Sequence, residues 1–195
     1  MSVNANANAN ANANANANAA CSLVTGDLCD AHKAQASTDD SFRVLPPVFR
    51  DYGQRRHFAG VVSTVNCFED NSFVKSALAE AGAGRVLVVA GGGSLKRALV
   101  GGNIAAAAAK NGWAGVVVDG CVRDSAELAC CDLGIRALAL MPMPTERREV
   151  GERDVAVQIQ GVSVRPGDWL VADADGIVVM SITPPMTLPM PTRGA

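Results

Sequence analysis

The 195-residue chain changes its hydrophobic pattern halfway along. In the first half, solid apolar runs are separated by helix-compatible segments. In the second half, short apolar runs alternate with turn residues. The pattern is densest between Arg85 and Glu127. There an apolar run, Val86 to Ala90, feeds a glycine triplet, Gly91-Gly92-Gly93. A helix-compatible stretch and a second apolar run, Val116 to Val118, follow, and that run ends in Asp119-Gly120-Cys121-Val122-Arg123-Asp124. Strand, glycine turn, helix and strand form a βαβ pattern, whose loops lie at strand ends, where α/β sheets hold their ligands.

The same reading extends to the rest of the chain. Ser22 to Ala36 reads as a helix with Thr25 or Asp27 as N-cap, and Phe42 to Gly53, broken by Pro46-Pro47, as a loop. Gly60 to Cys67 is a β-rich strand. Glu69-Asp70-Asn71 opens a helix over Ser72 to Ala81, closed by Gly82 and Gly84. Ser94 caps a short helix from Leu95 to Val100, Gly101-Gly102 interrupts it, and Ile104 to Asn111 restarts as a buried alanine-rich helix. Asp124 to Cys131 reads as a helix with Asp124 near its N-cap, and Ile135 to Met141 as a strand. Pro142 to Arg153 is a polar excursion. Val155 to Ile159 and Val162 to Val164 alternate as strands across Gly161, and Arg165-Pro166-Gly167-Asp168 matches a type II turn. Trp169 to Ala172 and Ile177 to Met180 pair across Asp173-Ala174-Asp175-Gly176, whose aspartates read as turn residues rather than metal ligands. These elements predict one layered β/β/α domain over residues 21–182. Residues 1–20 are an Asn-Ala repeat, a disordered or artificial tail with too little apolar surface to order itself. Residues 183–195 carry four of the nine prolines and read as a second tail.

Composition narrows the function. The net charge of -2, from 17 basic and 19 acidic residues, gives no broad attraction to nucleic acid. Arg55-Arg56 and Arg147-Arg148 are short basic pairs of the kind usually found on a solvated face. The six cysteines include no Cys-x-x-Cys pair, which argues against structural zinc and suits a reducing, cytoplasmic setting. No apolar run approaches the ~20 residues that span a bilayer, and the N-terminus lacks the pattern of a secretory signal. Gly91-Gly92-Gly93 lacks the spacing of a dinucleotide-binding loop.

Two features carry candidate chemistry. Arg123 and Asp124 form a guanidinium–carboxylate pair at a strand end; alternatively, Asp124 is only a helix cap and Arg123 its ion-pair partner. Gly101-Gly102-Asn103-Ile104 lies between helical segments, where free N–H groups and the helix dipole suit a carboxylate. The alternative is a tight helix crossing made possible by glycine, and spacing alone favours it slightly. His32 and His57 follow no glycine turn, which argues against a phosphocarrier.

Several stretches together resemble one family: Cys67 to Asn71, Arg85 to Asn103, Asn111 to Gly115, Gly120 to Asp124, Cys131 to Ala137, and Gly167 to Val178. From about Thr25 to Met180 the chain resembles the family named for the regulator of ribonuclease E activity A, which includes 4-hydroxy-4-methyl-2-oxoglutarate/4-carboxy-4-hydroxy-2-oxoadipate aldolases, and it looks closest to the plant-type members. The resemblance implies a β/β/α swivelling fold similar to phosphohistidine domains. It also implies a homotrimer, or a hexamer, with active sites between subunits. Aldolase members show a glycine, twenty residues, Arg-Asp, two residues, then an acid; Gly102, Arg123, Asp124 and Glu127 match that spacing. The implied roles are a divalent metal, Mg2+ or Mn2+, on Asp124, and substrate on Arg123 and on the backbone of Gly101, Gly102, Asn103 and Ile104.

Cleaving a 4-hydroxy-2-oxo acid leaves a pyruvate enolate, stabilised by a lysine Schiff base or by a metal. The chain has four lysines, Lys33, Lys75, Lys96 and Lys110, and none lies in the Arg123–Asp124 loop, so the metal route is favoured. Glu127, one turn past Asp124, is placed to orient metal waters. The expected activity is a metal-dependent aldolase acting on a small 2-oxo acid, with oxaloacetate decarboxylation as a side reaction. The alternative is a non-catalytic regulator that binds a ribonuclease or helicase.

Overall fold

The structure is a computed structural model that describes residues 23–35 and 40–181. Both predicted tails, 1–20 and 183–195, lie outside the described residues.

The parallel core contains β3 (Phe58–Asn66), β4 (Val86–Ala90), β5 (Ala98–Val100), β6 (Gly115–Val122) and β7 (Gly134–Leu140). Its crossovers carry α2 (Ser72–Leu78), α3 (Gly102–Lys110) and α4 (Ser125–Cys130), while α1 (Thr25–His32) precedes the sheet. The pairs β3–β4, β4–β6, β5–β6 and β6–β7 are all parallel. The second half adds β8 (Glu152–Arg153), a hairpin of β9 (Val157–Ile159) and β10 (Val162–Val164), and a hairpin of β11 (Trp169–Ala172) and β12 (Ile177–Met180). β11 pairs antiparallel with the first half of β3, whose second half pairs parallel with β4. One strand thus joins both parts of the sheet.

The central strands are apolar without alternation because both faces are covered, as in other parallel sheets. Leu87, Val89, Val116 and Val118 face a core shared with Val74 and Leu78 of α2, Ala105 and Ala108 of α3, and Leu128 of α4. Val86, Val88 and Val117 face the other way, against Val157, Ile159, Val164, Leu170 and Val179 of the second half. A smaller core places Leu28 of α1 against Phe42, Trp169, Val171 and Val178. The result is the expected layered β/β/α domain.

Two predicted elements are wrong. The segment Phe42 to Gly53 is not all loop: it contains β1 (Phe42–Val44), paired with β12, and β2 (Arg50–Asp51), paired with β7. Strands of two or three residues have no periodicity of their own and exist only through their partners. The segment Leu95 to Val100 is not a helix. Gly92 and Gly93 turn the chain at φ 65° and 66°, the Ala98 amide donates to the Met143 carbonyl at 2.9 Å, and Ala98–Val100 forms β5 on β6. The local helix preference of Leu95-Lys96-Arg97-Ala98-Leu99 loses to tertiary pairing. The glycine triplet serves this turn and close packing, since a Cβ on Gly91 would reach 2.6 Å from both the Asp119 carbonyl and the Leu99 side chain.

The first helix is capped by neither Thr25 nor Asp27: its N-cap is Val24, and the Thr25 side chain bonds Asp173 instead. The end of the polar excursion is β8, paired with β3. The other helices and strands stand within a few residues. Arg165 to Asp168 is the expected turn, with Gly167 at φ 88° and the Asp168 amide donating to the Arg165 carbonyl at 3.1 Å. Asp173 is a turn residue: its Oδ1 accepts from the Asp175 and Gly176 amides and its Oδ2 from the Thr25 amide. No described helix is long and apolar enough to cross a membrane.

Candidate active site

Loops following β3, β5, β6 and β7 converge on the C-terminal edge of the parallel sheet, where they enclose a cavity of about 360 Å³. Gly101, Asn103 and Ile104 border it from the start of α3, and Arg123 and Asp124 from the end of β6. Residues about 20 positions apart meet because β5 and β6 are adjacent: the Arg123 amide donates to the Val100 carbonyl at 3.0 Å.

Asp124 does not cap its own helix with its side chain. It sits at φ 62°, ψ 47°, a left-handed conformation that costs free energy outside glycine but is best tolerated by Asp and Asn. Its carbonyl accepts the amides of Glu127 and Leu128, which opens α4. The carboxylate is thereby free to turn toward α3, where Oδ2 accepts the Gly102 amide at 3.1 Å and lies 3.5 Å from Arg123 Nε. Both side chains keep more than a third of their surface exposed, at 38% and 37%, so a ligand can reach them.

The glycines here are required for space. Gly101 is extended, at φ -135° and ψ -179°, a conformation open to any residue. A Cβ there would lie 2.6 Å from Asp124 Oδ2 and 3.1 Å from Arg123 Cγ. At Gly102 it would overlap the Glu127 carboxylate. Gly102 and Glu127 adjoin the cavity without lining it.

The amide cradle is narrower than its sequence suggests. The Gly102 amide is taken by Asp124, and the Ile104 amide donates to the Gly101 carbonyl at 3.0 Å. Among the described residues the Asn103 amide has no partner. It stands in the first turn of α3, where the helix dipole favours an anion.

Three further polar lining residues, Asn71, Thr145 and Arg147, were not assigned to the site in the sequence. Asn71 begins α2 and is 8% exposed. Its Nδ2 donates to the Leu99 carbonyl at 3.2 Å, which fixes the amide orientation because a carbonyl can only accept. Its Oδ1 is buried with no partner among the described residues. Thr145 and Arg147 come from the polar excursion after β7. That segment is tied down by fully buried Asp70, whose Oδ2 accepts the Arg148 amide at 2.6 Å and whose Oδ1 accepts the Ser72 amide at 2.8 Å. Burial pushes the Asp70 carboxyl up, but its hydrogen bonds from Ser72, Arg148 and Val150 outweigh that and leave it below the ordinary range. The sequence offered a signal only for Asp70 and Asn71, read there as helix openers.

Other candidate groups lie elsewhere. None of the four lysines lines the cavity. His57 bonds to the Leu23 carbonyl, and His32 stacks on Phe42. Burial, with a smaller contribution from Asp70, pushes the Cys67 thiol up to about 12, which leaves it protonated and inert at neutral pH.

A divalent cation fits the donor set in one way. The described residues hold no cluster of three or more His, Cys, Asp or Glu side chains. Asp124 offers an oxygen, Oδ1, that no described residue engages, beside an open polar cavity. One carboxylate completed by water suits Mg2+ or Mn2+, hard cations that retain water, and does not suit zinc.

Comparison with known proteins gives the family. Residues 25–179 match the model of the RraA-like family, described as Aldolase/RraA. A protein of Albidiferax ferrireducens provisionally named 4-hydroxy-4-methyl-2-oxoglutarate aldolase is 64% identical over 166 residues, covering 81% of this chain and 95% of that protein. The solved RNA-processing inhibitor RraA from Thermus thermophilis superposes with a TM-score of 0.78 at 44% identity, covering 86% of this chain and 97% of that one. A Geobacillus kaustophilus structure described as an S-adenosylmethionine:2-dimethylmenaquinone methyltransferase superposes at 0.76 with 39% identity, covering 83% and 97%. A cavity built where Arg123, Asp124 and the start of α3 meet, on a scaffold matched almost end to end, places this chain in the RraA-like family of aldolases and RNA-processing inhibitors.

Proposed function

We propose that the protein is a divalent-metal-dependent aldolase that cleaves 4-hydroxy-4-methyl-2-oxoglutarate, and 4-carboxy-4-hydroxy-2-oxoadipate, to pyruvate, with oxaloacetate decarboxylation as a side activity. The observation that carries this reading is the convergence of Arg123 and Asp124 on the first turn of α3 inside one cavity. In the reaction the C3–C4 bond breaks. The C4 hydroxyl loses its proton and becomes the ketone of one product, while C3 gains a proton to become the methyl group of pyruvate. Negative charge builds on the C2 oxygen as that bond breaks.

Each residue has a role that follows from its position. Arg123 presents a fork of donors to the C2 oxygen and the adjacent carboxylate. The Asn103 amide and the α3 dipole hold that carboxylate. Asp124 would hold the cation through its uncommitted Oδ1, with Oδ2 kept in place by the Gly102 amide. The cation, when bound, supplies Lewis-acid stabilisation of the developing charge. The alternative electron sink, a lysine Schiff base, has no lysine at the cavity. Asn71, which also lines the cavity, keeps a buried Oδ1 acceptor without a donor among the described residues.

We also place the working site in a homotrimer. Phe68, Leu95, Met143 and Val150, each more than half exposed, lie on loops of the same sheet edge as the cavity. Apolar side chains gathered beside a site suit cover by a second copy.

The Thermus neighbour's description supports a second reading, a regulator that binds an RNA-processing enzyme. The methyltransferase description fits poorly, since no aromatic side chain lines the cavity to take an adenine ring. Pyruvate release from 4-hydroxy-4-methyl-2-oxoglutarate and from oxaloacetate, measured with and without EDTA, separates the readings. Turnover abolished by EDTA and restored by Mg2+ or Mn2+ is expected. No turnover on either substrate, together with direct binding to a ribonuclease, would leave the regulator.

A further inference from the structure

Two guanidinium groups line the cavity, Arg123 and Arg147. Arg123 is accounted for by Asp124. Arg147 makes no ion pair or side-chain hydrogen bond with any described residue. Its neighbours on both sides are pinned. Arg97 holds Glu146 at 3.6 Å and the Pro144 carbonyl at 3.0 Å. Beyond it, the Arg148 amide is tied to buried Asp70 at 2.6 Å and the Glu149 amide to the Ser72 hydroxyl at 3.3 Å. With this strap of chain after β7 tied at the Pro144 carbonyl and again at the Arg148 amide, Arg147 stands exposed at the cavity wall with its charge unpaired among the described residues. The adjacent Arg148 does not line the cavity.

The charge pattern points to the occupant. One carboxylate of the substrate, with the 2-oxo group, is matched by Arg123 and the start of α3. Among the described residues Asp124 is the only acidic one lining the cavity, and on the proposed reading it would be taken by the cation. A second cationic fork remains at the same cavity, on the loop after β7. A 4-hydroxy-2-oxo diacid carries a second carboxylate on C4, at the end of the molecule away from the 2-oxo group. We propose that Arg147 is the specificity-determining residue for that end: it pairs with the C4 carboxylate and selects diacids over 4-hydroxy-2-oxo acids with an uncharged tail. This assignment rests on the aldolase reading of the site.

The test compares two substrates that differ only at C4. One is 4-hydroxy-4-methyl-2-oxoglutarate; the other is 4-hydroxy-4-methyl-2-oxopentanoate, in which a methyl group replaces the C4 carboxylate. Arg147→Gln is expected to lower kcat/KM for the diacid by about 10- to 100-fold, the size of one lost charge-assisted pair, and to leave the monoacid within about twofold. Arg147→Lys, which keeps the charge without the fork, is expected to recover part of the loss. A strap that merely came loose would lower both substrates together. An equal loss on both substrates, or no loss on either, overturns the assignment while leaving the aldolase intact. A wild type that releases pyruvate from neither substrate removes the aldolase reading and this assignment with it.

Discussion

Asp124 does two things with one carboxylate, and conservative substitutions separate them. Oδ2 satisfies the first amide of α3, a capping role filled from a distant loop because Gly101 has no side chain to do it. Oδ1 is engaged by no described residue and, on the proposed reading, would hold the cation. Asp124→Asn retains an oxygen for the Gly102 amide but no charge. It is expected to keep its thermal midpoint near wild type while losing aldolase turnover and Mg2+ affinity, the latter read by calorimetry. Asp124→Ala also loses the cap and is expected to be less stable by about 1 kcal/mol in urea unfolding. Equal activity in all three proteins would rule out the catalytic assignment. At this scale the sequence was informative about Arg123 and Asp124 because adjacency in the chain already paired them. It read Arg147 and Arg148 as a solvated basic pair, and both are exposed, but it gave no sign that Arg147 also borders the cavity. What distinguishes the two arginines is position: Arg147 lines the cavity and Arg148, whose amide is bound by Asp70, does not.

The polar excursion after β7 carries Arg147, the proposed selector, and Asp70 anchors it. The excursion has no core of its own; a carboxylate at 0% exposure holds it by its amides. Because the folded Asp70 pKa lies below its unfolded value, this contribution is fully present above the ordinary Asp range of about 4. It is lost as pH falls through the lower, folded value. The protection factors of the Arg148 and Val150 amides, taken relative to intrinsic exchange at each pH, are therefore expected to hold at neutral pH and to fall below about pH 4. Asp70→Asn, with one oxygen fewer and no charge, is expected to cost about 1.5–3 kcal/mol and to remove the acid dependence of that protection. Unchanged protection in the variant would show that the strap is held by other contacts. The elements misread in the sequence share a cause with this one. β1, β2 and β5 are too short to carry a pattern, and the strap carries none. Elements defined by a partner cannot be found by looking along their own residues.

At the scale of the whole molecule, the open cavity and the apolar rim on the same sheet edge belong to one arrangement. Phe68→Asp and Leu95→Asp, at positions 58% and 52% exposed, should leave the fold of the subunit unchanged. They are expected to shift sedimentation from trimer toward monomer, with aldolase activity falling in step. A monomeric wild type would remove the subunit-interface reading, and dissociation without loss of activity would show that each cavity works alone.

What the amino-acid sequence determined by itself was the scaffold and one end of the site. The unbroken valine runs of β4 and β6 can be satisfied only by burial on both faces, and the turn chemistry of the second half dictates hairpins. These are local consequences of hydrophobicity and backbone freedom, legible at a range of a few residues. The tertiary structure alone decided which amides of α3 are free, which way Asp124 points, and that Asn71, Arg123 and Arg147, far apart in the chain, line one cavity. Those outcomes depend on strand order and on hydrogen bonds between segments 20 to 80 residues apart. Propensity and periodicity carry no information over that distance.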